Sequence, residues 1–299
     1  MIDAFLERHG WGDAARAPLA GDASTRRYTR LQEGDRKAIL MEDPDLANLA
    51  RFQKIGAHLR DLGLSAAQSL AADYEHALLL LEDLGDQTLS RLLAEDIGIA
   101  ETAYHATADM LPLLANPPPN GLDAPDADGM AAMTGLTFDL LPDSDALRQK
   151  IMPALADALA RHAAGPPVLS LRDVHADNLI WLPERDGSAR IGLLDYQDAM
   201  LLPDGYDLAS LLDDPRRDLP ETWKAALVTD RPRFATLSLQ RNLRILGIFH
   251  RLATQYGKPH YRTFLPRTAT LMERAAQDLP ALRVPVAELL ERTAHWAAP

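Results

Sequence analysis

The chain has 299 residues, 47% apolar and 25% charged, enough to bury a substantial core as one large domain or two lobes. A formal net charge of −12 argues against a nucleic-acid or anionic-membrane partner, because an acidic surface repels both. The absence of cysteine excludes disulfides and thiolate metal sites.

In chain order, Ile2 to His9 reads as a short helix ended near Gly10 to Gly12. This acid-containing start lacks the apolar core of a signal peptide. The longest apolar run, ALLLLEDL, is too short to span a bilayer, so a cytoplasmic monomer or small homo-oligomer is expected. Arg26 to Leu31 and Lys37 to Met41 read as strands joined by the turn QEGD. From Asp45 to Gly63, apolar residues at helical spacing (Leu46, Leu49, Phe52, Ile55, Leu59, Leu62) predict a helix, with Gly63 as its stop. SLAADYEHALLLLEDLGDQTL supplies a second pair of turn-linked strands ending at EDLG. The remainder is mainly helical: Leu89 to Leu93, Ala100 to Leu114, Asp145 to Ala164, Asp207 to Leu212, and long helices from Glu221 onwards. The Pro-rich stretch Ala115 to Gly129 reads as a surface loop within this helical part. The order predicts an α+β, two-lobed, protein-kinase-like fold. Residues 1–84 would form a small, mainly β N-lobe that binds nucleotide. Residues 85–299 would form a larger, mainly α C-lobe carrying the catalytic loop and substrate-binding helices.

One stretch breaks the helical part: LSLRDVHADNLIWLPERDGSARIGLLDYQDA, residues 169–199. Asn178 to Leu182 and Ala189 to Asp195 read as two strands of a hairpin, with the turn at Pro183 to Gly187. Asp173 and Asn178 precede the hairpin and Asp195 ends it, so carboxylate and amide oxygens gather at one edge. Phosphoryl transfer needs a base for the acceptor hydroxyl and oxygen ligands for the metal that neutralises the phosphates. An Asp, an Asn five residues later and an Asp across a hairpin supply these. Asp173 is therefore the candidate base, and Asn178 and Asp195 the candidate ligands of Mg2+, which takes one or two carboxylates besides phosphate oxygens. His175 and Asp177 suit either loop scaffolding or substrate contact, and Asp198 is a further candidate for substrate. Asp207, in GYDLASLL, has the position of a helix N-cap.

The nucleotide end is less marked. GDAST lacks a Gly-x-Gly-x-x-Gly pattern, but Ala23, Ser24 and Thr25 sit between strands, where backbone N–H groups can face phosphates. Arg26 and Arg27 offer bidentate contacts. Backbone groups at Glu82 and Leu84, where LEDLG is expected to cross between lobes, would meet an adenine edge. Met41 occupies the place of the lysine in a Val-Ala-Ile-Lys strand. Lys37 lies four residues earlier, too far along a strand rising about 3.3 Å per residue to stand in for it. A nucleotide-binding pseudokinase or regulatory module is the rival reading.

On GDASTRRYTR, LLLEDLGDQTL, LRDVHADNLIWL, GLLDYQDA and QRNLRILGIFHRLATQYGKPHY, the chain resembles the aminoglycoside phosphotransferase and choline kinase superfamily over nearly its whole length. Within it, the first and last segments are most similar to bacterial kinases that act at the anomeric hydroxyl of N-acetylmuramate and N-acetylglucosamine in peptidoglycan recycling. The resemblance implies ATP as donor, Mg2+, a small-molecule sugar as partner and a sugar 1-phosphate as product. It also implies that Asp207 braces the catalytic loop. Arg241 and Arg244, on a predicted helix, are candidate donors to the sugar. From the residues alone, an aminoglycoside or a choline-like acceptor stays open.

Overall fold

The computed structural model describes residues 1–19 and 26–298. Its elements begin with α1 (Ile2–Arg8), β1 (Ala15–Leu19), β2 (Arg27–Glu33), β3 (Arg36–Glu42), α2 (Leu46–Asp61), β4 (Ser65–Ala66), β5 (Ser69–Asp73), β6 (Leu78–Glu82), α3 (Leu89–Glu95) and α4 (Ile97–Met110). They continue with α5 (Ala127–Ala132), α6 (Gly135–Asp139), α7 (Asp145–His162), β7 (Val168–Ser170), β8 (Leu179–Trp181), β9 (Ile191–Leu193) and β10 (Met200–Leu202). Five helices complete the chain: α8 (Tyr206–Leu212), α9 (Glu221–Leu227), α10 (Arg231–Gln255), α11 (Leu265–Gln277) and α12 (Pro280–Thr293). The fold is α+β, with an antiparallel sheet in the N-terminal region and a helical C-terminal region. Among the described residues, no helix is long and apolar enough to cross a membrane.

Two compact units emerge, residues 1–110 with 177–199, and residues 111–176 with 200–299. This differs from a division after residue 84, and the reason lies in backbone pairing. β9 pairs in parallel with β4, and the Trp181 N–H donates to Gln87 O at 2.9 Å. The predicted hairpin therefore belongs with the N-terminal sheet and α3, and EDLG lies inside this unit rather than between units.

In the first unit the sheet order is β1-β2-β3-β6-β5, all antiparallel. β1, unforeseen from sequence, is an edge strand exposed throughout, so it carries no alternating apolar signal. β6 is buried at Leu78, Leu79, Leu80 and Leu81, as a strand covered on both faces must be. Phe5 and Leu6 of α1 and Trp11 cluster with Leu31, Ala38, Leu40, Leu78 and Leu80. α2 starts where Asp45 caps the Ala47 and Asn48 N–H groups, at 2.9 and 3.2 Å, and stops before Gly63 at φ +79°.

The second unit packs α5 to α8, α10, α11 and α12 around one apolar cluster. β7 and β10, both unforeseen, are three residues each and pair antiparallel, Met200 opposite Ser170. The 25-residue α10 runs through this core, with fourteen of its residues buried. Where it meets α6, the Thr137 hydroxyl donates to Leu243 O at 2.5 Å and accepts from the Gly247 N–H at 3.0 Å, inserting into the helix ladder.

A Cβ on Gly247 would lie 2.7 Å from Thr137 Oγ1 and 2.8 Å from its backbone N. Alanine gains about 1 kcal/mol in helix propensity, while forced overpacking costs about 1 to 3 kcal/mol and here meets backbone that cannot yield cheaply. Gly247→Ala should therefore lower stability, read as a reduced urea midpoint at unchanged m-value.

Candidate functional site

In the first unit, the β8–β9 register (Leu179 opposite Leu193, Trp181 opposite Ile191) brings Asn178 and Asp195 to the same end of the hairpin. The Leu194 N–H donates to Asn178 O at 2.9 Å, which pins that end. Asp195 adopts φ +55°, a left-handed conformation uncommon for non-glycine residues but tolerated best by Asp and Asn. Strain of this kind persists only where the surroundings enforce it, and here they do. Tyr196 is buried and stacks on Phe52 of α2 with ring centroids 4.7 Å apart. Arg51 donates to Gln197 O at 3.2 Å and to Ala199 O at 3.3 Å. The segment after β9 is thus anchored to α2 on both sides of Asp198.

Arg26 is the central cation of this unit. Its Nε donates to Asp43 Oδ2 at 2.8 Å and its Nη1 to Asp195 Oδ1 at 2.9 Å. Burial works against its charge, but Tyr28, Asp195 and Asp43 together push its pKa further above the ordinary guanidinium value. Gln197 Nε2 donates to the same Asp195 Oδ1 at 3.0 Å. The Asp195 side chain is 46% exposed, and its contacts fall on Oδ1, so among the described residues Oδ2 is open to a further ligand. Arg27 is exposed on β2 opposite Glu42, and Met41 is buried opposite Tyr28. Ser24 and Thr25 lie outside the described residues. Glu82 takes Arg185 through Oε1 at 2.5 Å, and Asp83 takes Arg30 Nε at 2.7 Å. Gly192 packs beside Leu84, whose Cδ1 would lie 3.2 Å from any Cβ there.

No three His, Cys, Asp or Glu side chains are grouped to hold a metal among the described residues. A carboxylate with one open oxygen and an amide at the same hairpin end is the donor set of a Mg2+ that takes its remaining ligands from phosphate and water. Asn178 and Asp195 fit such an ion.

In the second unit, Asp207 is buried in the first turn of α8, and Gly205 at φ +92° holds the N-cap position expected for Asp207. The aspartate side chain turns instead to the segment after β7. It accepts from Ser170 Oγ at 2.7 Å, the Leu171 N–H at 2.8 Å and the Arg172 N–H at 3.0 Å. Burial pushes its pKa up to about 6, against these three hydrogen bonds. Ser210 Oγ closes the bracket on Arg172 O at 3.2 Å. Arg172 has φ +69°, a second strained residue, and it immediately precedes Asp173. Burial opposes ionisation of Asp173, but Arg244, His175, Arg241 and Arg172 hold its pKa below the usual carboxylate range. It is therefore a charged acceptor throughout the neutral range.

Sequence reasoning passed over Asp43, Gln197, Asp214 and Arg216. Asp214 pairs with Arg216 at 2.8 Å, and Arg216 lies over the Phe249 ring at 5.0 Å. The charged run DDPRRD is the visible signal for the last two; Asp43 in EDP has no local mark.

Residues 16–237 match the family described as Phosphotransferase enzyme family. An N-acetylmuramate/N-acetylglucosamine kinase of Caulobacter vibrioides is 36% identical, over 93% of this chain and 92% of its own length. The protein of the same name from Pseudomonas aeruginosa is 31% identical, over 91% and 88%. Among solved structures, a Ralstonia eutropha protein described as an aminoglycoside phosphotransferase superimposes with a TM-score of 0.70 at 12% identity, covering 93% of this chain and 97% of that one.

Arg26→Met strands the buried Asp43 carboxylate, so it should lower stability by about 3 to 5 kcal/mol in urea unfolding. Arg27→Ala, at an exposed position, should stay within about 0.5 kcal/mol of the wild type. Equal effects would show that the Arg26 pairing does not govern the unit.

Proposed function

The chain belongs to the phosphotransferase enzyme family and is a kinase with an alcohol group as acceptor; from this premise we propose that it transfers the γ-phosphoryl group of ATP, with Mg2+, to the anomeric hydroxyl of N-acetylmuramate or N-acetylglucosamine. The observation that carries the reading is Asp173: an ionised carboxylate following a backbone turn that Asp207 holds by three hydrogen bonds. The identity with the two sugar kinases supports the acceptor.

In this reading Asp173 accepts the hydroxyl proton as the sugar oxygen bonds to phosphorus and the bond to the ADP oxygen breaks. The anomeric hydroxyl is the most acidic on a reducing sugar, so a carboxylate of low pKa can assist it. Asp207 keeps the Asp173 backbone in the one conformation that presents the carboxylate, which is the positional part of catalysis. Asn178 and Asp195 would hold Mg2+, whose chemistry is to neutralise charge on the phosphates. Arg26, already fixed on Asp195, would supply the cation that Met41 does not. Ser24 and Thr25 would present their backbone to phosphate, and backbone groups of Glu82 and Leu84 would meet the base. His175, Asp177, Asp198 and Arg244 are the groups proposed for the sugar. The two-lobe division of labour, with nucleotide on residues 1–84, stands as part of the same proposal, as does a place in peptidoglycan recycling.

Asp173→Asn should leave ATP binding nearly unchanged and lower turnover by about 10² to 10⁴. The product should show, by 31P NMR, phosphorus coupled to the anomeric proton, and the reduced alditol should be inert. Near-wild-type turnover of the Asn variant would remove Asp173 as base, whereas phosphorylation of the alditol would move the acceptor to another hydroxyl.

A further inference from the structure

We propose that Gln197 is a positioning residue that makes Asp195 a one-oxygen ligand and so sets the choice of Mg2+ over Ca2+. The proposal rests on the reading of Asp195 as the metal carboxylate. An ionised carboxylate accepts through two oxygens, each with room for about two donors. Asp195 Oδ1 takes Arg26 Nη1 at 2.9 Å and Gln197 Nε2 at 3.0 Å, and these two fill it. Oδ2, on a half-exposed side chain, is left for a cation. Neither donor is free to drift. Arg26 is tied to buried Asp43 through Nε at 2.8 Å, and Asp43 Oδ1 accepts from the Asp45 N–H at 3.0 Å. Gln197 is 1% exposed, and its carbonyl oxygen accepts from Arg51 Nε at 3.2 Å.

The Gln197 amide shows what its contact is for. Its Oε1 is buried and meets no hydrogen-bond donor among the described residues. A buried orphan acceptor is costly, and an apolar side chain of the same size would fill the space without it. Nor can the amide flip, because Oε1 would then face Asp195 Oδ1, acceptor against acceptor. The paired group of this amide is the N–H on Oδ1, and that donor is what an apolar side chain cannot supply. Carboxylates that ligate metals are held in this way by outer partners, whose loss typically costs about 10- to 100-fold in metal affinity. The arrangement separates two ions. Mg2+ is small, keeps near-octahedral geometry and takes single carboxylate oxygens, whereas the larger Ca2+ takes about six to eight oxygens and readily chelates both oxygens of a carboxylate. With Oδ1 filled, Asp195 offers Ca2+ half of that chelate. No group of three or more His, Cys, Asp or Glu side chains makes up the difference among the described residues.

The test measures ATP binding by calorimetry with saturating Mg2+, with saturating Ca2+ and with EDTA, for the wild type and for Gln197→Met, an apolar replacement of similar reach. The wild type should bind ATP at least about tenfold more tightly with Mg2+ than with Ca2+. Gln197→Met should lose about tenfold of that preference, through weaker binding with Mg2+ and equal or tighter binding with Ca2+. A glutamine that only braced its segment would weaken both by the same factor. An unchanged ratio in Gln197→Met would overturn the proposal. So would equal binding with the two ions in the wild type, a result that needs no variant to fold. Asp195→Ala, measured alongside, separates the two failures. If it loses the Mg2+-dependent part of ATP binding while Gln197→Met keeps the wild-type ratio, only the role of Gln197 falls. If it binds ATP with Mg2+ as tightly as the wild type, Asp195 is not the metal ligand and both readings fall.

Discussion

A carboxylate withdrawn from water must find donors or an opposite charge within its own surroundings, because leaving it unmatched costs more than any packing contact returns. In the first unit the matching runs through one guanidinium, with Arg26 joining buried Asp43 to half-exposed Asp195. In the second, Asp207 is matched by a hydroxyl and two amides, and burial of Asp173 is opposed by the charges of Arg244, His175, Arg241 and Arg172. The protein carries a large negative charge overall, so these local cations are spatial choices and not a reflection of composition.

The same matching accounts for two of the strained positions. Arg172 and Asp195 both hold left-handed backbone, and each is locked by hydrogen bonds or stacking on both sides. Asp207 receives the amide of Arg172, and Ser210 donates to its carbonyl. Beyond Asp195, Tyr196 is clamped on Phe52 and Gln197 is held by Arg51. A flexible loop would relax such residues, whereas here the adjoining helices enforce them. Rigid presentation of charged oxygens is what phosphoryl transfer asks of a protein, since the reaction leaves little covalent chemistry for side chains to perform.

A solved structure only 12% identical superimposes with a TM-score of 0.70, so the fold tolerates wide sequence divergence. What persists at that distance is backbone arrangement.

Local pattern was enough to read the helix from Asp45, the strand pairs, the hairpin that aligns Asn178 with Asp195, and the Asp-Asn-Asp spacing. Each depends on residues close in the chain, where periodicity, caps and turns speak directly. β1 escaped because an exposed edge strand carries no period, and β7 and β10 because, unlike the equally short β8 and β9, they are not joined by a turn. Asp207 reads equally well as a helix cap, and only packing turns its side chain towards residues 36 positions earlier. The Arg26–Asp195 pair spans 169 residues, and neither residue carries a local mark of the other. Sequence by itself thus determined the elements and the candidate chemistry. Tertiary structure decided which charge faces which, because burial and long-range pairing arise only once distant segments pack together.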